Sequence, residues 1–186
     1  MIKRILIAGE GGQGVQTIAK IFATAAHQSG KKVAYMPNFG VEQRGGVSLS
    51  YIQVSDEAIV YPKFQDSDVA IILAHRAVPR IAKHINKNTL IIFDNSIIKE
   101  SELDDFKVEK IALAASFMAK EQLIPRVFNT IILGAIAEEL KLTDEKALKK
   151  VLLKSLAGKI KQKKELKHFN LAALEVGKKV IKEISG

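Results

Sequence analysis

An apolar stretch, Ile5-Leu6-Ile7-Ala8, runs straight into Gly9-Glu10-Gly11-Gly12-Gln13-Gly14 and then into Val15-Gln16-Thr17-Ile18-Ala19-Lys20-Ile21-Phe22 with helical spacing. A strand that stops at a glycine cluster and restarts as a helix is the opening unit of an α/β nucleotide-binding domain. Three jobs are expected of the glycines: a turn with unusual dihedrals at Gly9, close backbone approach at Gly11, and tight helix-on-strand packing at Gly14. The open amides of such a helix start favour an anion.

Gly9, Gly11 and Gly14 satisfy the G-x-G-x-x-G spacing of a dinucleotide site, but that site also needs an Asp or Glu closing the second strand to hold the ribose hydroxyls. Here the second strand, residues 32–36, ends in Pro37-Asn38-Phe39-Gly40. No carboxylate stands there. The turn reads better as a seat for a different anion or for a protein neighbour.

A chain of 186 residues, 47% hydrophobic, has the length for one domain with a sizeable core, residues 1–186. No apolar run approaches a membrane span and no signal-peptide pattern opens the chain, so a cytoplasmic location is expected. The absence of cysteine excludes disulfides, thiolate metal sites, clusters ligated by this chain, and a cysteine nucleophile.

The net charge of +9 is local rather than general. Residues 1–140 hold 16 Lys and Arg against 15 Asp and Glu, whereas residues 141–186 hold 13 against 5. The basic third is nearly all lysine, with no aromatic residues interleaved to stack on bases. It fits a solvated helical face, or a face docked on an acidic partner, better than a nucleic-acid groove.

Helical spacing continues over residues 15–29, with Gly30 placed to end that helix and His27 to complement its dipole. The loop 37–46, with Glu42, Arg44 and paired glycines Gly45-Gly46, is longer and more particular than a connector. Either Arg44 aims its guanidinium at a phosphate or carboxylate, or Glu42 and Arg44 pair and brace the loop. Residues 47–55 alternate as a half-buried strand whose small serines leave room for something to lie against them. Residues 69–73 and 89–93 are uninterrupted apolar runs, as in strands covered on both faces, with a crossover helix over 77–85 between them. His75 and His84, at the ends of that unit, are read as structural or solvent-facing.

Residues 108–113 supply one more strand, and helices follow over 114–121 and 128–140. Asn129, on an apolar surface, needs a buried partner or a site to face. Thr143 reads as the N-cap of a helix running to about Leu156 and stopped by Gly158, and residues 161–164 as a charged connector. In the last helix, 166–184, Gly177 costs about 1 kcal/mol relative to alanine, which close packing against another element would explain. The fold class is α/β: a Rossmann-like three-layer domain with a mainly parallel or mixed sheet and a helical C-terminal third. No P-loop lysine, Ser-His-Asp set or HExxH motif is present, so the chain carries no recognisable catalytic engine of its own.

Gly9-x-Gly-Gly-Gln-Gly followed by Pro37-x-x-Gly-x-Glu-x-Arg-Gly-Gly resembles the gamma subunit of 2-oxoacid:ferredoxin oxidoreductases. The resemblance continues through Ser55-Asp56-Glu57, Ile59, Pro62 and Asp68-Val69 to Asn129 with Gly134 and Asn170 with Gly177. At the second motif the pyruvate type is similar to Glu-Arg-Arg-Gly-Ala-Pro, whereas this chain has Glu42-Gln43-Arg44-Gly45-Gly46-Val47. That departure leans towards 2-oxoglutarate or general 2-oxoacid subunits, and indolepyruvate small subunits share the Arg-Gly-Gly element.

The resemblance implies a multisubunit enzyme that decarboxylates a 2-oxoacid, forms an acyl-CoA and reduces ferredoxin. It implies thiamine diphosphate with Mg between alpha and beta subunits, and iron–sulfur clusters on other chains, including a delta subunit. This chain would help form the coenzyme A region. Gly9, Gly11, Gly12 and Gly14 would make the turn, Gln13 a polar contact, and Glu42, Arg44, Gly45 and Gly46 the second loop. Two other classes compete: a freestanding flavin- or NAD-binding regulatory protein, and a basic nucleic-acid-binding domain.

Overall fold

The computed structural model describes residues 1–39 and 46–185, with backbone alone at Phe39 and Ser185. Strands β1 (Ile2–Glu10), β2 (Lys32–Phe39), β3 (Val47–Ser55), β4 (Val69–Ile72), β5 (Leu90–Phe93) and β6 (Lys110–Ala112) form one sheet in the order β2-β3-β1-β4-β5-β6. β1, β4, β5 and β6 run parallel, and β3 is antiparallel to both β1 and β2. The sheet is therefore mixed, and β3 stands between the first strand and the second.

Three residues assigned to the loop by sequence, Pro37, Asn38 and Phe39, instead continue β2 to pair with Ser50, Leu49 and Ser48. Pro37 is tolerated because β2 is an edge strand, where a missing N–H breaks no central ladder. The serine-bearing face of β3 is not left open either. It is covered by helix α1 (Val15–Gln28), so β3 is buried on both faces.

The two faces are covered unequally. One carries α1, α3 (Ala115–Gln122), α4 (Phe128–Leu140), α5 (Glu145–Ser155) and α7 (Glu165–Ser185) around Ile5, Ile7, Phe22, Ile71, Ile92 and Ile132. The other has only short turns of helix, among them α2 (Val78–Ile81), around Leu6, Tyr51, Ile72, Ile81 and Phe93. The crossover over 77–85 is thus not one helix: 3-10 turns at His75–Ala77 and Ala82–His84 flank α2.

α4 is apolar nearly all round because it is enclosed, with Ile131, Ile132, Leu133, Ala135 and Ile136 inaccessible to water. α7 crosses it at two glycines. A Cβ on Gly134 would lie 2.1 Å from the carbonyl oxygen of Leu174, and one on Gly177 would lie 1.9 Å from that of Ile131. The close packing expected of Gly177 is what the helices require, and Thr130 donates to Asn170 Oδ1 at 2.8 Å beside the crossing.

Two C-terminal boundaries differ from the sequence reading. Asp144, not Thr143, occupies the N-cap position of α5, without a side-chain cap bond and with its N–H donating to Ser29 Oγ, while Thr143 Oγ1 is buried with no hydrogen-bond partner among the described residues. Gly158 does not stop that helix. α5 ends at Ser155, and Gly158 lies in the separate α6 (Ala157–Gln162), which takes up part of the expected charged connector.

His84 is buried under the thinner face, its Nδ1–H donating to Gln65 O at 2.5 Å and its Nε2 accepting from Tyr51 Oη at 3.1 Å, a tautomer assigned from the network. Burial holds its pKa below the ordinary 6.5. The unfolded chain therefore takes the proton first: this stabilisation is complete above about pH 6.5 and is lost as pH falls below that value. His84→Gln is expected to flatten the thermal midpoint against pH as pH falls below about 6.5; an unchanged slope would show that His84 is not the titrating group.

Candidate functional site

The glycine cluster folds as a turn at the carboxyl end of β1, with its roles distributed differently from the sequence reading. Gly9 is the close-approach position, since a Cβ there would sit 2.7 Å from Gln13 Oε1 and 2.9 Å from Val15 Cγ2. Gly12 (φ +104°) and Gly14 (φ +80°) carry the left-handed dihedrals that side chains disfavour. Gln13 faces inward: its Oε1 accepts from Glu10 N at 2.7 Å and its Nε2 donates to Leu73 O at 2.8 Å, tying the turn to the end of β4.

Gly46 meets this turn, accepting from Gly11 N at 3.1 Å. The structure thus brings Gly9, Gly11, Gly12, Gln13, Gly14 and Gly46 together. Glu42, Arg44 and Gly45 lie outside the described residues. Asn129, in the first turn of α4, donates through Nδ2 to Gln13 O at 3.4 Å, and that atom lies 2.3 Å from where a Cβ on Gly14 would be.

Among the described residues α1 starts from Gly14 with no side-chain cap and no acidic residue in its first turn, so its first N–H groups offer partial positive charge. They open on a cleft of about 1180 Å³. Its mouth is made by Gly11, Gly12, Gly14 and Gly46, with Asn129 and the cations Arg126 and Lys159 around it; its floor is apolar, with Ile18, Leu152 and Leu156. Among the described lining residues Glu10 is the only carboxylate and there is no histidine. The arrangement can hold an anionic group at the helix start and an apolar body along the floor.

Gln16, the second residue of α1, fixes the cleft to the β2–β3 pair. Its Nε2 donates to Ser48 Oγ (2.7 Å) and Leu49 O (2.9 Å), and its Oε1 accepts from Tyr35 Oη (2.7 Å) and Ser50 Oγ (2.6 Å). Burial pushes the Tyr35 phenol up. Replacing Gln16 by leucine strands two serine hydroxyls and the phenol, at a cost of about 2–3 kcal/mol. By thermal unfolding, a chain of this size should melt about 5–10 °C lower; a shift under 2 °C would mean that water satisfies those groups.

Sequence reasoning missed Gln16, Arg126 and Lys159. Gln16 had a signal, as a polar residue beside the apolar positions of the first helix. Arg126 had a weaker one, Pro125 opening a 3-10 turn ahead of α4. His75 and Glu102 pair at 2.6 Å on the surface, and among the described residues no group of three or more His, Cys, Asp or Glu could hold a metal.

Residues 4–180 match the pyruvate ferredoxin/flavodoxin oxidoreductase family. The chain belongs to this family. Within the pyruvate ferredoxin/flavodoxin oxidoreductases it is 29% identical to the 2-oxoglutarate synthase subunit KorC of Methanothermobacter thermautotrophicus, over 97% of this chain and 96% of that protein. It is 30% identical to the pyruvate/ketoisovalerate oxidoreductases common subunit gamma of Thermococcus kodakarensis, over 83% of this chain and 87% of that protein. Among solved structures it superposes with a TM-score of 0.85 and 26% identity on the 2-oxoglutarate:ferredoxin oxidoreductase of Magnetococcus marinus, whose structure holds 2-oxoglutarate, coenzyme A and succinyl-CoA. That match covers 98% of this chain and 31% of the longer one. Among the described residues no helix is long and apolar enough to cross a membrane.

Proposed function

We propose that this chain is the gamma subunit, a single domain, of a multisubunit 2-oxoacid:ferredoxin oxidoreductase acting on 2-oxoglutarate, and that its glycine-turn cleft forms part of the coenzyme A region. The observation that carries the cleft assignment is the α1 start, with no side-chain cap, no acid in its first turn, and Arg126 and Lys159 beside it. A ligand bearing several phosphates on a long, partly apolar body matches both ends of such a cleft. The match to KorC over nearly the full length of both chains supports the gamma assignment and 2-oxoglutarate.

The chain's own donors do not fit the other groups of such a complex. It has no cysteine for an iron–sulfur cluster. Thiamine diphosphate with its magnesium, and the clusters, belong in this reading to alpha, beta and delta subunits, and ferredoxin accepts the electrons.

The test is anaerobic purification of the complex from its host, followed by CoA-dependent viologen reduction with 2-oxoglutarate, pyruvate and indolepyruvate. Activity should be highest with 2-oxoglutarate; a preference for pyruvate or indolepyruvate would overturn the substrate. Arg126→Ala and Arg44→Ala should each raise the KM for CoA about tenfold, the loss of one charge-assisted phosphate contact, with assembly intact. Two variants with wild-type KM would remove CoA from the cleft.

A further inference from the structure

Among the described residues of the C-terminal third, Lys149, Lys178, Lys179 and Lys182 stand in ion pairs, all on α5 and α7. Lys149 and Lys178 both bridge Glu145 and Glu175, which holds the Glu145 carboxyl down at about 2, and Lys182 reaches Glu138. The stretch from α6 to the start of α7 is different. Between residues 157 and 167 stand Lys159, Lys161, Lys163, Lys164 and Lys167 against the single acid Glu165, and all five lysines are exposed. Among the described residues none of the five has an ion-pair partner.

Nothing in the fold accounts for this arrangement. α6 buries none of its residues, and Gly158 within it has open space around its Cβ direction. Five cations in eleven positions repel one another, a cost that a compensating negative surface would remove. The ridge is also placed: Leu156, Lys159 and Leu166 line the cleft, so the stretch that carries the lysines adjoins it.

We propose that the lysine ridge of residues 159–167 is a docking surface for an acidic face of a partner protein subunit, seated beside the mouth of the cleft. The proposal rests on the subunit reading above. Its chemistry favours protein over nucleic acid: the cations are compact ammonium groups without a guanidinium fork, and no aromatic side chain stands among them to stack on a base. Only Lys159 lines the cleft, so the ridge extends beyond what one small ligand would occupy. A docked subunit would neutralise the ridge and wall the cleft on that side.

The test titrates this chain against the remaining subunits of the host's complex, by biolayer interferometry at low and high salt. Three forms are compared: wild type, K161E/K163E/K164E/K167E, and a control with reversed charge on another surface, K83E/K87E. Wild-type affinity should fall about tenfold or more between 50 and 300 mM NaCl, as screening predicts for a charge-matched contact. The ridge variant should bind at least about tenfold more weakly at low salt and lose most of the salt dependence, and the control should match wild type.

Circular dichroism checks folding, and the neutral K161Q/K163Q/K164Q/K167Q set, expected to be intermediate, decides the matter if charge reversal perturbs the chain. Ridge variants that bind like wild type overturn the proposal and leave the subunit reading standing. Wild type that binds none of the subunits overturns both. Variants that assemble normally but bind CoA or a 20-mer RNA more weakly also overturn it, making the ridge a ligand-steering or nucleic-acid surface.

Discussion

Gly177→Ala should lower the melting temperature by about 5–10 °C, against the sign that helix propensity alone gives. Alanine is favoured over glycine in a helix interior by about 1 kcal/mol. Here the added Cβ would stand 1.9 Å from Ile131 O and 2.9 Å from Ala135 N, both backbone atoms of α4 that cannot swing aside. Overpacking typically costs about 1–3 kcal/mol and occasionally more; against rigid backbone at this distance the cost is about 3–4 kcal/mol. Sterics therefore win by about 2–3 kcal/mol, worth the stated shift in a chain of this length. Gly158→Ala is the control: its Cβ meets nothing within 4 Å, so it should gain about 0.5–1 kcal/mol. If Gly177→Ala melts at or above wild type, α4 and α7 do not cross at backbone contact.

Gly14→Ala should leave the chain folded but cripple the cleft. The left-handed dihedral costs a side chain about 1–2 kcal/mol, and the new Cβ meets Asn129 Nδ2 at 2.3 Å, a contact that pushes the amide off Gln13 O. In the assembled oxidoreductase the KM for CoA should rise by about tenfold or more, as the helix start loses its shape for an anion. The double variant Gly14→Ala/Asn129→Ala separates the causes, recovering the part due to collision but not the part due to the dihedral. Gly12→Ala, equally left-handed but facing open space, should show strain alone. Equal KM values for all three would detach the turn from ligand binding.

The elements that sequence predicted well are those whose signal is local. The apolar runs at β4 and β5 and the glycine boundary between β1 and α1 are carried by adjacent residues, and the structure keeps them. Gly177 was legible because glycine inside a helix needs a reason. What failed depends on partners far away in the chain. Thr143 and Asp144 are both cap-forming types, and the backbone at Asp144 is held by Ser29, which follows α1, 115 residues earlier. The serines of β3 looked open because the side chain that fills the space, Gln16, comes from 32 residues earlier. Arg126 and Lys159 line one cleft although they stand 33 positions apart, on the turn before α4 and on α6.

The place of β3 closes a path to this fold. With β3 between them, β1 and β2 lie two strand spacings apart, about 10 Å. Phe39, at the end of β2, is level with Gly9 across Ser48 but one full strand removed from it. An acid grafted at Asn38 or Phe39 would thus start too far from the turn to grip the sugar of a nucleotide whose phosphates sat there. Converting this scaffold into a nicotinamide enzyme would require moving a strand, not changing a residue. The β2–β3 pair works as a topological lock on ligand choice, one that leaves the dinucleotide out of reach of point mutation in this chain.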